Sequence, residues 1–404
     1  MIVQEHVRDA ALQRAEAAHQ NARRRSMRLL FVAHSFNRGG AQKCLHEVVS
    51  YCGRRGDECV VAGPCPGPMS DMYREAGATV EYLPLTTAFR GRDRFWRSKM
   101  VLRLAVGVFR MVRMIRAFEP EVVYTNTSSV LTGAIAARVT RTPHLWHIHE
   151  NLATFPDPYI FSRASIGRIV ERLSAQVICV SALAREALYP QGCSKAVVIH
   201  NGLSEDWTCE EDTKTERSPW DPVKPRVVGC VGGISYRRGL DVLLKALGLL
   251  GPKHADLRLE IWGEGDEHYA RELQRLACSL GVAECVKFMG YSDQMVRVCR
   301  SCDVLVVPSR SESFSRPALE AMASGVPVIA TRCGGPEEFI EDRVTGRLVS
   351  VDAPEELANA LLWVLEDPDR AREMARRAKE KALRDFRLDD KLCEIRAALL
   401  RVAR

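Results

Sequence analysis

Short apolar runs, each followed by a stretch of helical spacing, recur along this chain from residue 28 onward, and they leave few folds open. In the first half the runs are Leu29–Ala33, Glu58–Ala62, Thr79–Leu83, Glu121–Thr125, His144–His149, Gln176–Val180 and Ala196–His200. In the second they are Arg226–Val231, Leu257–Trp262, Val286–Met289, Asp303–Val307 and Val326–Ala330, with a further short run at 346–349. A strand apolar at nearly every position has both faces covered, which requires a parallel sheet with helices on either side. Residues 203–225 break the series with acidic residues and with Pro219, Pro222 and Pro225, the composition of a linker. With 404 residues, two cores are expected. The predicted fold class is therefore α/β, two Rossmann-like doubly wound domains, with helices filling residues 354 to the end.

Composition enters as a set of exclusions. No apolar run reaches the length of about 18 residues that a membrane-spanning helix needs. The N-terminus lacks the apolar core of a signal peptide, so a cytoplasmic location is expected. Residues 1–26 read as an N-terminal helical extension, with Met27 as an alternative start. The fourteen cysteines are scattered through strand and helix patterns, as in Val177-Ile-Cys179-Val180, which suits buried thiols rather than disulfides. Cys299-x-x-Cys302 has no second pair to complete a zinc site and reads as helix packing. The net charge of +7 is uneven: residues 1–202 hold 27 Lys/Arg against 16 Asp/Glu, whereas the rest hold 31 against 35. The first half is thus the expected partner of something anionic.

The stretch 308–331 carries the most chemistry. The strand Asp303–Val307 runs into a polar loop, a short helix follows, and a second strand begins after Gly325. Glu312 lies at the loop and Glu320, eight residues on, lies on the helix. Loops at the carboxyl ends of strands are where open α/β sheets bind ligands. The Ser313-Phe314-Ser315 backbone, followed by Arg316, opens a helix whose N–H groups can meet an anion or sugar hydroxyls. Two other turns have a similar character. Ser35-Phe-Asn-Arg-Gly39-Gly40 lies between a strand and a helix, and Val231-Gly232-Gly233-Ile-Ser-Tyr-Arg237-Arg238-Gly239 opens the second series. Neither the first turn nor Gly263-Glu-Gly265 completes a dinucleotide-binding Gly-x-Gly-x-x-Gly pattern. His147-Ile-His149-Glu150 ends a first-half strand, where alternation puts both histidines on one face. A metal there has no evident third ligand, and no metal is expected. Asp367-Pro-Asp369 reads as a helix cap.

These segments, in this order, resemble the retaining glycosyltransferases of family 4. The resemblance rests on Glu312-x7-Glu320, on the Gly39-Gly40 turn and on Arg238-Gly239. It also rests on Ser181 with Lys195 and Asn201-Gly202, and on Gly334-Gly335-x-x-Glu338. It covers about residues 28–350 and implies the GT-B fold, with the two domains facing across a cleft. The implied domains are 27–203 as an acceptor domain, joined by a C-terminal helix 388–404, and 204–387 as a nucleotide-sugar donor domain.

The resemblance further implies that His149 and Glu312 meet the donor sugar and Glu320 the ribose. Gly39, Gly40, Arg238, Phe314, Ser315 and Arg316 complete the implied donor site. Where the family has an arginine, Gly233 stands here, and Arg237 or Arg316 is available to replace it. The implied activity is transfer of a sugar from a nucleoside-diphosphate sugar to a glycan or lipid-linked acceptor, with no cofactor. An epimerase or phosphorylase on the same fold, or a non-catalytic membrane-associated homologue, is the alternative.

Residues 90–118 hold nine Lys/Arg and one acidic residue. On a helix Lys99, Arg103, Arg110 and Arg113 fall within an arc of about 80°. Phe95, Trp96, Met100, Leu104, Phe109 and Met111 supply apolar surface. Such a segment suits the surface of an anionic membrane, at its cytoplasmic face. Nucleic acid is not an expected partner, because no recognition motif accompanies the charge.

Overall fold

The computed structural model describes residues 25–85, 96–153, 162–207, 226–251 and 256–403. The expected extension up to residue 24, residues 90–95 of the basic segment, and linker residues 208–225 lie outside the described residues. The chain divides into two compact units, one running to Ile199 and resuming at Asp390, the other spanning His200–Asp389.

The first unit is a seven-stranded sheet of β1 (Arg28–Ala33), β2 (Glu58–Gly63), β3 (Thr79–Tyr82), β4 (Val122–Asn126), β5 (His144–Ile148), β6 (Gln176–Cys179) and β7 (Ala196–Val198). Every pairing is parallel, in the order β3-β2-β1-β4-β5-β6-β7. The second unit is six-stranded, with β8 (Arg226–Val231), β9 (Leu257–Trp262), β10 (Val286–Gly290), β11 (Val304–Val307), β12 (Val328–Thr331) and β13 (Arg347–Val349), in the order β10-β9-β8-β11-β12-β13. Each sheet grows outward in one direction, then reverses beside its first strand. The order reverses between β1 and β4 in the first unit and between β8 and β11 in the second. Such a switch point opens a crevice at the carboxyl ends of the strands.

The strands sit within one or two residues of the runs that foretold them; the central strands are apolar because both faces are buried, whereas β3, β9 and β10 alternate, with one face exposed. β4 and β5 are buried along their whole length. Helices α1 (Gly40–Arg54), α2 (Pro68–Glu75), α3 (Trp96–Phe118), α4 (Thr132–Thr140), α5 (Arg163–Leu173) and α6 (Ala182–Leu188) cover the first sheet. Those of the second unit are α7 (Leu240–Leu250), α8 (Glu267–Ser279), α9 (Met295–Arg300), α10 (Arg316–Ala323), α11 (Pro354–Leu365) and α12 (Pro368–Asp385). The core of the second unit joins Leu243, Leu244 and Leu247 of α7 to Leu361 and Val364 of α11 and to Leu259 and Val306 of the sheet.

The last helix, α13 (Leu388–Val402), returns to the first unit. There Arg396 Nε and Nη2 donate to Asp57 Oδ2 and Oδ1, each at 2.9 Å, with both side chains buried. Asp57 Oδ1 also accepts from the Met27 N–H. Asp367 caps α12 by accepting from the Arg370 N–H at 3.0 Å, the role read from its sequence. Cys299 and Cys302 are buried, and the Cys302 thiol is bonded to the Val298 carbonyl, which agrees with helix packing.

In α3 the exposed face differs from the expectation. Met111 is fully buried in the core, because it shares a helical side with Ile115 and packs with them against Leu30 and Val123. The apolar residues turned most to solvent are Val101, Leu102 and Phe109, each about 60% or more exposed, with Val106 less so, beside exposed Lys99, Arg103, Arg110 and Arg113. The side chains of Trp96 and Arg97, and Phe95 altogether, lie outside the described residues. Among the described residues no helix is long and apolar enough to cross a membrane.

Candidate functional site

In the second unit the switch point gathers most of the residues that the sequence singled out. The loop after β8 turns through Gly232 and Gly233 into a single helical turn, Tyr236–Arg238, and Gly239 then opens α7 in the left-handed region at φ 65°. Any side chain at Gly239 would strike the Pro308 carbonyl, since a Cβ there lies 2.0 Å from it. The turn is thereby pressed against the loop that leaves β11, the loop carrying Ser309 and Glu312. A small pocket lies between them, lined by Gly232, Gly233, Arg238, Val307, Pro308 and Ser309 among others.

Glu312 is buried, and its carboxylate is the hub of this pocket wall. Arg238 donates to Oε1, Ser309 Oγ donates to the same oxygen at 3.0 Å, and Arg237 Nη1 stands 3.7 Å from Oε2. Arg237 also donates to the Ser311 carbonyl at 2.7 Å. Burial, and next the neighbouring Arg238, pull the Arg237 guanidinium below its ordinary pKa, while Glu312 opposes the shift. Two guanidiniums that share one carboxylate leave a net positive charge on the pocket wall, and each fork has more donors than its bond to Glu312 uses. Of the two candidates for the place of the missing arginine, Arg237 is the one that reaches Glu312. Arg316 instead pairs with Glu320 on its own helix, Nε to Oε1 at 3.5 Å. Gly233 itself faces the Glu264 carbonyl, 3.3 Å from where a Cβ would stand.

A residue the sequence reading passed over holds this arrangement. Arg310 donates to both Asp241 oxygens at 2.8 Å, to the Tyr236 carbonyl at 2.6 Å, and lies 3.9 Å over the Tyr236 ring. Its own N–H donates to the Arg237 carbonyl at 2.8 Å. It therefore staples the arginine turn to the glutamate loop. Its position two residues before Glu312 was visible, but a contact to residues 69 to 74 positions earlier was not.

The helix that carries Glu320 begins under strain. Ser315, the N-cap of α10, adopts the left-handed conformation at φ 71°, ψ 74°, which costs a non-glycine residue on the order of 1–2 kcal/mol. Its buried hydroxyl has no hydrogen-bond partner. The turn is held from below, because Gly335 approaches so closely that a Cβ would lie 2.4 Å from the Phe314 nitrogen. The Phe314 ring is buried in a cluster with Phe339 and Phe386 and stacks on His200 at 5.4 Å, which anchors the turn. Glu320 is buried on the first turns of α10.

At the first unit's switch point, the loop after β1 leads through Gly39 to Gly40, where α1 begins without a side-chain cap and with no acidic residue in its first turn. Gln42 of that helix meets His34 at 3.0 Å, and burial lowers the His34 pKa to about 4. Asn126, the last residue of β4, joins this helix start to the expected histidine. Its Nδ2 donates to the Ala41 carbonyl at 3.0 Å, which turns Oδ1 toward His149 Nε2 at 2.8 Å. A carbonyl accepts only, so the amide orientation is fixed and His149 carries its proton on Nε2. His147 and His149 do lie on one side, ring centroids 4.1 Å apart. Glu150 turns back into the loop and accepts from the N–H groups of Ser128 and His149. The third ligand that the sequence did not supply is present in space. Cys44 of α1 brings its sulfur, with one ring nitrogen from each of His147 and His149, into a group whose atoms all lie within 4.8 Å of one another.

Two α/β units with one strand order, the second with a guanidinium-lined switch point followed by a glutamate-bearing loop and helix, define the GT-B fold. The chain belongs to glycosyltransferase family 4: the profile of that name matches residues 38–207, and the profile for glycosyl transferases group 1 matches residues 212–381. The chain is similar to a D-inositol 3-phosphate glycosyltransferase of Corynebacterium jeikeium, 35% identical over 44% of this chain and 45% of that one. It spans less than half the length of this relative. A GDP-mannose-dependent alpha-mannosyltransferase of Mycobacterium tuberculosis is 28% identical over 87% of this chain and 92% of its own. Among solved structures, Anabaena HepE in complex with UDP-glucose superposes with a TM-score of 0.77 at 26% identity, covering 93% of this chain and 99% of that one.

Proposed function

We propose that the protein is a retaining glycosyltransferase that moves a sugar from a nucleoside-diphosphate sugar to a cell-envelope glycan or a lipid-linked acceptor. The observation that carries this reading is the meeting of Arg237, Arg238 and Glu312 at the switch point of the second sheet. In the reaction the bond from the anomeric carbon to the diphosphate oxygen breaks, and negative charge grows on the departing diphosphate. Arg238 and Arg237 stabilise that charge, together with N–H groups at Ser315 and at Gly40, beside Gly39. Arg238 then exchanges part of its bond to Glu312 for phosphate oxygens. This leaves the Glu312 carboxylate to accept sugar hydroxyls, while Glu320 holds the ribose and Arg316 holds Glu320. In the first unit His149 orients the sugar, with its tautomer set by Asn126. No carboxylate is assigned as a nucleophile.

The names of the relatives support a nucleotide-sugar donor, since GDP-mannose and UDP-glucose figure among them. The exposed Val101, Leu102 and Phe109 of α3, flanked by four exposed cations, support a peripheral station on an anionic membrane at its cytoplasmic face.

The test is release of diphosphate across a panel of UDP-, GDP- and ADP-sugars, with and without anionic vesicles. Release from one donor, faster with vesicles, is the expected result. Binding of none of these donors overturns the transferase reading. Conversion of a donor to another nucleotide sugar with no diphosphate released would instead identify an epimerase, and sugar phosphate formed only with added inorganic phosphate would identify a phosphorylase.

A further inference from the structure

We propose that Cys44, His147 and His149 form a binding site for a thiophilic divalent cation of the zinc type, and that its occupation inhibits the enzyme. The three residues come from the second turn of α1 and from the end of β5, and their donor atoms lie within 4.8 Å of one another. A tetrahedral ion with bonds of about 2.3 Å to sulfur and about 2.0 Å to nitrogen wants its donors roughly 3.5 Å apart. Contraction by about 1 Å closes the set.

Two further observations point to a ligand. The first is that His147 Nε2 is fully buried with no hydrogen-bond partner, in a residue only 1% exposed. A buried ring nitrogen left unsatisfied costs free energy that a metal bond would recover. The second is that each imidazole is held at one nitrogen by an oxygen, which leaves the opposite nitrogen as the one to meet an ion. Tyr124 Oη bonds His147 Nδ1, and Asn126 Oδ1 accepts from His149 Nε2. Metal-binding histidines are oriented in this way, with the far ring nitrogen on an oxygen and the near one on the ion. The donor set, one thiolate and two imidazoles, matches zinc and its neighbours rather than magnesium or calcium, which take oxygen ligands. Three protein ligands leave a fourth position for water. On binding, the Cys44 thiol releases its proton to solvent and sulfur forms the new bond.

The inhibitory consequence rests on the role proposed above for His149. A cation on its ring withdraws that histidine from the sugar, so zinc slows turnover without competing at Arg238.

Cobalt(II) reports the site directly, because a thiolate-bound cobalt absorbs in the near ultraviolet. The full chain is titrated with cobalt in a background where the exposed Cys65 and Cys278 are serine. The expected result is a charge-transfer band that saturates at one equivalent and is lost in Cys44→Ser and in Cys44→Ala. Neither change touches the residues assigned to turnover, so metal-free turnover stays unchanged. Zinc is then expected to slow turnover of the parent at least tenfold at saturation and to leave Cys44→Ala unaffected. No band, or a band of equal size in both Cys44 variants, overturns the site. A band with turnover indifferent to zinc overturns the inhibition and keeps the site. The absorption arm needs no turnover, so failure of the transferase reading leaves it standing.

Discussion

The crossing of β8 and β11 and the crossing of β1 and β4 occupy the same place in two sheets of one strand order, yet they are built from different chemistry. The second unit's crossing is ionic: Arg237, Arg238 and Glu312 meet there, with Arg310 bonded to Asp241 just behind. In the first unit the crossing is built on amides and imidazoles: Gln42 meets His34, and Asn126 links the Ala41 carbonyl to His149. One topology supplies a crevice twice, and side chains decide what each crevice holds. Fixed cations suit a ligand whose charge increases as it reacts, whereas amides and imidazoles suit recognition of hydroxyls by direction.

The units also differ in how they close. The second is one continuous stretch, but the first depends on α13 returning from the far end of the chain. The Asp57–Arg396 pair is where that return is fastened, with side-chain exposures of 0% and 4%. Asp57→Ala strands a buried guanidinium, which costs about 3–5 kcal/mol. Hydrogen exchange under mild urea should then show loss of protection confined to the first unit. Equal loss in residues 226–389 would show that the two units fold as one.

The contrast between the crossings predicts the next largest effect. Arg238→Ala and Glu312→Ala should each lower turnover by a factor of about 10²–10³, in the range seen when one preorganised charge partner is removed. Lys at position 238 should restore part of the loss, since it keeps the charge without the fork. Diphosphate affinity, measured by calorimetry, should fall in Arg238→Ala more than in Glu312→Ala. If the order is reversed, Glu312 and not Arg238 is the anion-facing partner.

Acid should separate the units a third way. His34 and His144 of the first unit are buried and their pKa values are lowered to about 4 and about 3. In the unfolded chain both would take up a proton near pH 6.5. Between those values the unfolded state binds more protons, so stability is complete above about pH 6.5 and is lost as pH falls toward 4. Each pKa unit corresponds to about 1.4 kcal/mol. A pH series of exchange measurements should find the first unit opening before the second; simultaneous opening would remove these histidines as the cause.

Much of this was legible in the sequence, and the division follows physical range. The strands were found to within a residue or two because burial, on both faces in the central strands and on one in β3, β9 and β10, writes itself into consecutive or alternating residues. Glu312, Glu320, Arg238 and the Gly39-Gly40 turn stand out for the same reason, each being marked by its local strand–loop–helix setting. What was hidden depended on distant approach. Cys44 is about a hundred residues from the histidines it joins, and Arg310 reaches back to Asp241. The helical wheel of α3 showed where its cations would cluster, but which apolar residues faced the core depended on the sheet beneath, and so Met111 was assigned to the surface. Phe314 sits among site residues in sequence while its ring belongs to the core.

Asn126 offers the finest probe of the first unit's crossing. Its amide touches both sides of the crevice, donating to Ala41 and accepting from His149. Asn126→Asp keeps the acceptor and removes the donor, so His149 stays on the same tautomer while the tie to α1 is lost. Asn126→Ala removes both. If the tautomer is what matters, Asp at this position should retain most of the turnover and Ala should lose about tenfold, the value of one hydrogen bond of about 1.4 kcal/mol. The loss should fall on kcat more than on KM for the donor, because His149 is oriented rather than removed. Equal losses in the two variants would place the role of Asn126 in fastening α1 rather than in setting the tautomer.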